Sequence, residues 1–263
     1  MFVLQGHDGE VPPGSAPLDK TRPEWNLEAS SSPSVQELYL TYHGIVFDFN
    51  GTLLWDMDLH NQVWRELGQH HLGRRITDDE LNTKFIGRTN LEIWPVLVGH
   101  SPSQAELLRL SEEKEAAYRE LLLSLPHRVT LVDGAVELFE TCLAHGIEIA
   151  IGTASGKTNV DFYIETFHLR RWFPADRIVY DDGTRPGKPH PALFTEAIVR
   201  LGLPPDQCLV VEDGILGIQA ARAAGAGKVY GIWADEGDRA KLATVPLDRT
   251  IHTYREMGLD DFR

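Results

Sequence analysis

The sequence predicts an α/β fold: a doubly wound parallel sheet with a helical domain inserted into it. From Gly44 onward, short β-branched runs alternate with amphipathic helical stretches, the pattern of parallel strands covered on both faces. Several of these runs end in polar residues, as expected where an open parallel sheet presents its ligand crevice. The segment between the first two strand runs is far longer than one crossover helix needs, and it has helical texture throughout.

Residues 1–40 carry little periodic hydrophobicity, and Val11-Pro12-Pro13-Gly14-Ser15 and Ala29-Ser30-Ser31-Ser32-Pro33 are turn and linker chemistry. They are expected to be a poorly ordered extension, in which Trp25 and Val35–Tyr42 are candidates for docking. Strands are expected at Ile45–Phe49, Ile147–Gly152, Ile178–Tyr180, Leu209–Glu212 and Val229–Ile232, with a short edge strand at Thr250–His252. Residues 41–58 and 127–263 then form the α/β core. Residues 59–126, with runs such as Gln104-Ala105-Glu106-Leu107-Leu108 and Glu112–Leu123, read as an α-helical cap. A cap that closes over the crevice would exclude water and carry the groups that choose the substrate.

Composition narrows the function. The 263 residues are 42% hydrophobic, enough for one good-sized core plus a smaller satellite domain. A net charge of −14 with dispersed acids argues against an extended nucleic-acid surface. Small anionic substrates remain compatible, because a few local cations and a metal overcome the global field. Cys142 and Cys208 sit in apolar contexts without Cys-x-x-Cys spacing, which reads as buried reduced thiols and fits a cytoplasmic protein. No apolar stretch approaches the ~18 residues of a membrane span, and the N-terminus lacks a basic-then-apolar leader pattern.

The chemistry is expected at the strand ends. Ile45-Val46-Phe47 runs into Asp48-Phe49-Asn50-Gly51-Thr52, a buried strand delivering a carboxylate to a tight turn. Thr153-Ala154-Ser155-Gly156-Lys157 supplies hydroxyls and backbone amides at a strand-to-helix junction, where an anion is favoured but where Thr and Ser also serve simply as helix caps. Gly187-Lys188-Pro189-His190-Pro191 places a lysine in a rigid turn before a helix, either at a site or at the surface. Glu212-Asp213-Gly214 puts adjacent acids where a buried strand stops. Such a pair is costly without a cation, and hard oxygen ligands suit Mg²⁺ better than simple capping explains.

Taken in order, Asp, then Thr/Ser, then Lys, then Glu-Asp, each at a strand end, is the motif series of the haloacid dehalogenase superfamily, and residues 44 to about 255 resemble it. The chain looks most like the beta-phosphoglucomutase-like phosphatases, which have a Rossmann-like core and a helical cap after the first motif. Gly87-Arg88-Thr89-Asn90 resembles the cap turn that offers an Arg to the distal phosphate of the substrate, and Lys114 with Tyr118 matches a cap helix that contacts substrate hydroxyls. His60 and Trp64 match positions just past the hinge, Trp64 being better read as cap core. The resemblance implies that Asp48 is the nucleophile and a metal ligand, that Asp213 binds Mg²⁺ with Glu212 beside it, and that Asn50 gives its backbone carbonyl to the metal. It further implies that Thr153 and Lys188 hold the transferring phosphoryl group, with Ala154 and Ser155 adjoining it. The implied activity is Mg²⁺-dependent hydrolysis of a small phosphorylated metabolite of the sugar phosphate class, by a monomer or weak homodimer.

Asn50 stands where the phosphate-transferring members of the superfamily have the acid/base Asp. A carboxamide neither gives up nor takes a proton, which typically costs 10²–10⁴-fold in rate. The sequence therefore leaves several readings open: activated substrates such as anomeric or acyl phosphates, His60 as substitute acid, or a catalytically impaired protein that binds phosphometabolites. A phosphosugar mutase fits less well, because it must move protons in both half-reactions. The superfamily's metal-free dehalogenases also lack the second Asp, but Glu212-Asp213-Gly214 argues against them.

Overall fold

The computed structural model describes residues 40–85 and 88–263, so residues 1–39 of the expected extension lie outside the described residues, as does Gly87 of the expected cap turn. Six strands form one parallel sheet in the order β3-β2-β1-β4-β5-β6. They are β1 (Gly44–Phe47), β2 (Glu148–Gly156), β3 (Ile178–Asp181), β4 (Cys208–Glu212), β5 (Lys228–Ile232) and β6 (Arg249–Ile251). All six expected strands are present. The strand order reverses direction beside β1, and in such sheets that switch point is where a crevice opens beyond the carboxyl ends.

Alternation along each strand sends side chains to two apolar layers. Ile45, Phe47, Ile149, Ile151, Leu209 and Val211 pack with Leu138 and Phe139 of α5 (Ala135–Ala144) and with Val160 and Tyr163 of α6 (Lys157–Thr166). Val46, Ala150 and Val210 pack on the opposite face with Phe194 and Ile198 of α7 (Ala192–Leu201) and Ile218 of α8 (Ile215–Ala223). The edge beyond β5 is preceded by the short helix α9 (Glu236–Leu242). Both cysteines are buried free thiols, Cys142 in the first layer and Cys208 in the second. Burial pushes the Cys142 thiol up to about 12, and burial with nearby Asp206 pushes Cys208 up to about 11, which leaves both unreactive.

Between β1 and β2 the chain forms α1 (Met57–Leu72), the single turn α2 (Asp78–Glu80), α3 (Asn90–Val98) and α4 (Gln104–Leu123). Local sequence sets their ends. Gly73 closes α1 at φ 65°, Thr77 and Glu80 make a reciprocal cap on α2, and the Ser103 hydroxyl accepts the Glu106 N–H at the start of α4. Trp64 is 4% exposed and meets Phe85 and Trp94 edge-on at 5.4 Å each, so it is packing, as its sequence context suggested. Among the described residues, no helix is long and apolar enough to cross a membrane.

Candidate active site

Parallel register sets the site. Phe47 lies opposite Ile151 of β2 and Val211 of β4, so the next residue, Asp48, leaves the sheet level with the end of β4 and donates its N–H to the Val211 carbonyl at 3.1 Å. Lys188, on the loop before α7, bridges the gap. Its Nζ donates to Asp48 Oδ1 at 2.8 Å and to Glu212 Oε1, and it lies 5.1 Å from the Phe194 ring centroid. Glu212 Oε2 accepts the Gly214 N–H, and a Cβ at Gly217 would collide with the Glu212 carboxylate. Asp213 Oδ1 accepts the Thr52 hydroxyl at 3.2 Å. Gly51 turns beneath it at φ 75°, where any side chain would strike the Asp213 carboxylate.

Asp48, Glu212 and Asp213 bring one carboxylate oxygen each within 4.8 Å of one another. Burial pushes the Asp48 carboxyl up; Lys188 opposes that and Glu212 adds to it, leaving it at about 7. Burial, Glu212 and Asp48 push Asp213 well above the ordinary carboxylate range. Lys188 is held firmly protonated, because Asp48 and Glu212 outweigh the burial that works against it. Ionising all three acids beside one ammonium would leave a negative excess, and such a set of hard oxygen donors fits a divalent cation of the Mg²⁺ type.

The second expected element differs in local structure. Thr153, Ala154 and Ser155 belong to β2, which continues to Gly156 through an irregularity that pairs Gly156 with Asp181, so the helix begins only at Lys157. Thr153 is buried and its hydroxyl accepts the Ser155 N–H at 3.1 Å; Ala154 is exposed. The Ser155 hydroxyl donates to Asn50 Oδ1 at 2.7 Å.

The Asn50 amide is engaged on every side. Its Nδ2 donates to Asp56 Oδ2 at 2.6 Å and to the Tyr163 hydroxyl at 2.8 Å, with His60 Nε2 at 3.4 Å. His60 stacks on Tyr118 at 3.9 Å, and its Nδ1 meets Lys114 Nζ at 2.7 Å. An ammonium only donates, so that ring nitrogen accepts. Lys114 also pairs with Glu115 at 2.8 Å. Glu115 accepts from Asn90 at 2.7 Å and from Asn159 of α6, and despite burial Lys114 holds it at about 2. Lys114 and Tyr118 are therefore both buried in contacts that join α4 to the start of α1, and Glu115 extends them to α6. Arg88 is exposed on the turn before α3, and the methyl of the next residue, Thr89, would lie 3.3 Å from a Cβ placed on Gly187, so this turn abuts the Lys188 loop.

Asp56, Tyr163 and Glu115 were not singled out in the sequence. Aspartate is a common helix N-cap, and Asp56 does precede α1, yet its side chain makes no capping bond and turns back to Gly51 and Asn50.

The strand order and the acid and lysine cluster at its switch point define a doubly wound α/β protein with a candidate site built around a buried carboxylate. The chain belongs to the haloacid dehalogenase-like hydrolases, whose family model matches residues 42–225. It is 32% identical to the fructose-1-phosphate phosphatase YqaB of Escherichia coli (strain K12) over 189 residues, 72% of this chain and 95% of that protein. It is 27% identical to a phosphorylated carbohydrates phosphatase of Thermotoga maritima, over 72% of this chain and 84% of the relative. The solved structure of a HAD hydrolase, family IA, variant 3, from Entamoeba histolytica superposes with a TM-score of 0.76 at 33% identity, over 84% of this chain and 97% of the other.

Proposed function

We propose that this protein is a Mg²⁺-dependent phosphatase acting on a small phosphorylated metabolite of the sugar phosphate class. The observation that carries the reading is Lys188 held between Asp48 and Glu212, with Asp213 alongside. Phosphatase relatives over most of the chain support it.

Asp48 is the nucleophile: its free carboxylate oxygen attacks phosphorus to give an aspartyl-phosphate, which water then hydrolyses. Lys188 and the Thr153 hydroxyl hold the transferring phosphoryl oxygens, and Lys188 offsets the repulsion between the anionic substrate and Asp48. Asp48, Asp213, Glu212 and the Asn50 carbonyl would hold Mg²⁺, which when bound neutralises phosphoryl charge. The helices of residues 59–126 act as the cap, with Arg88 presented to the far end of the substrate. The protein works in the cytoplasm.

The bound state of Asn50 favours a second reading, a phosphometabolite-binding protein with impaired turnover, because both amide hydrogens are already committed. Phosphate release from a panel of sugar phosphates and acetyl phosphate, with Mg²⁺ and with EDTA, separates the two. Release that requires Mg²⁺ is expected; binding without release from any of them sinks the phosphatase.

A further inference from the structure

Asn50 occupies the position at which a carboxylate would be useful, and its surroundings give a physical reason for the amide. The Asp56 side chain is 0% exposed, and every group that bonds it is a donor. Its Oδ1 accepts the Gly51 N–H at 3.1 Å, and its Oδ2 accepts Asn50 Nδ2 at 2.6 Å and the Tyr118 hydroxyl. Burial and the Asp56 charge push Tyr118 upward, so its phenol keeps the proton it donates. Whatever residue stands at position 50 must therefore present a donor to Asp56. Asparagine does so, and its second hydrogen goes to Tyr163 while its oxygen takes the Ser155 hydroxyl. An aspartate at 50 would set carboxylate against carboxylate within a buried cluster.

We propose that Asp56 is a positioning residue: it commits residue 50 to being an amide, fixes that amide, and ties the loop after β1 to α4 through Tyr118. Asn50 shares the bond network of Tyr163, so α6 is joined to the same knot. With both N–H groups so placed, residue 50 offers nothing to a departing oxygen. The substrate class that suits such a site is one whose leaving group needs less protonation than an ordinary alkoxide, namely acyl phosphates and, to a smaller degree, anomeric phosphates. This last step rests on the phosphatase reading; the pairing of Asn50 with Asp56 does not.

The test is a double-variant cycle of Asn50→Asp, Asp56→Asn and both together, read by thermal unfolding and by phosphate release from glucose 6-phosphate and acetyl phosphate. Asn50→Asp alone is expected to lower Tm by about 5 °C or more, since an uncompensated buried charge is strongly destabilising. In the double variant the carboxylate at 50 faces an amide at 56, and Tm is expected to return to within about 2 °C of the unaltered protein. The same variant should raise the ratio of glucose 6-phosphate to acetyl phosphate turnover at least ~10-fold, the low end of general acid/base gains. Asn50→Asp as stable as the unaltered protein, or a double variant that recovers neither Tm nor the ratio, overturns the inference. Recovery of Tm in a set of proteins that release no phosphate supports the pairing and overturns the phosphatase reading alone.

Discussion

Lys188 Nζ lies 2.8 Å from Asp48 Oδ1, a contact between residues 140 apart in sequence that joins the loop before α7 to the end of β1. The same ammonium reaches Glu212 at the end of β4, so one side chain spans the switch point of the sheet.

Removing the attacking group and removing a metal ligand should differ. Asp48→Ala is expected to abolish phosphate release, whereas Asp213→Ala should cut it severely and also weaken Mg²⁺ binding by calorimetry. Turnover in EDTA, or an active Asp48→Ala protein, removes the proposed mechanism.

Arg88 is exposed on a turn that abuts the Lys188 loop, and on the proposed reading it meets the remote part of a substrate rather than the reacting phosphorus. Arg88→Ala is expected to lower kcat/KM for the preferred metabolite by about ten-fold or more while acetyl phosphate, which has no remote part, is affected far less. Equal losses on the two substrates would make Arg88 a structural residue.

Without metal, stability should fall as pH rises. Asp48 is pushed up to about 7 and Asp213 well above its ordinary 3.8, so both bind protons more tightly folded than unfolded. Their contribution is complete below the unfolded value and is lost as pH climbs through the folded one. In EDTA, Tm is expected to decline between about pH 5 and pH 8, and Mg²⁺ should raise Tm more at the upper end, where the acids are ionised. A Tm in EDTA that is flat or increasing across this window contradicts the electrostatics described for the cluster.

Gly217 tests how tightly Glu212 is held. Its missing Cβ leaves room for a carboxylate fixed on its two oxygens by Lys188 and the Gly214 N–H. Gly217→Ala is expected to destabilise by about 1–3 kcal/mol in chemical denaturation, the usual range for overpacking, and to weaken Mg²⁺ binding. A variant of normal stability would show that Glu212 moves aside freely.

The linear sequence by itself determined the family, the strand series and the residue types at the strand ends. Each is a local signal: β-branched runs, a carboxylate before Gly-Thr, a Lys between Gly and Pro, paired acids at a strand terminus. Once parallel register is imposed, those ends must meet. The Asn-Gly pair at 50–51 is likewise legible as a place prone to deamidation, although in the fold the Gly51 N–H that would attack is bonded to the Leu54 carbonyl and Asp56 Oδ1.

Only the tertiary structure decided the partners of Asn50. Asp56 precedes α1 at a position where aspartate commonly caps a helix, and Ser155 and Tyr163 lie on other elements more than a hundred residues away. Which way a side chain turns depends on the donors that surround it after folding. Burial then enforces the choice, because a buried carboxylate must be met by donors and position 50 is where one of them has to be.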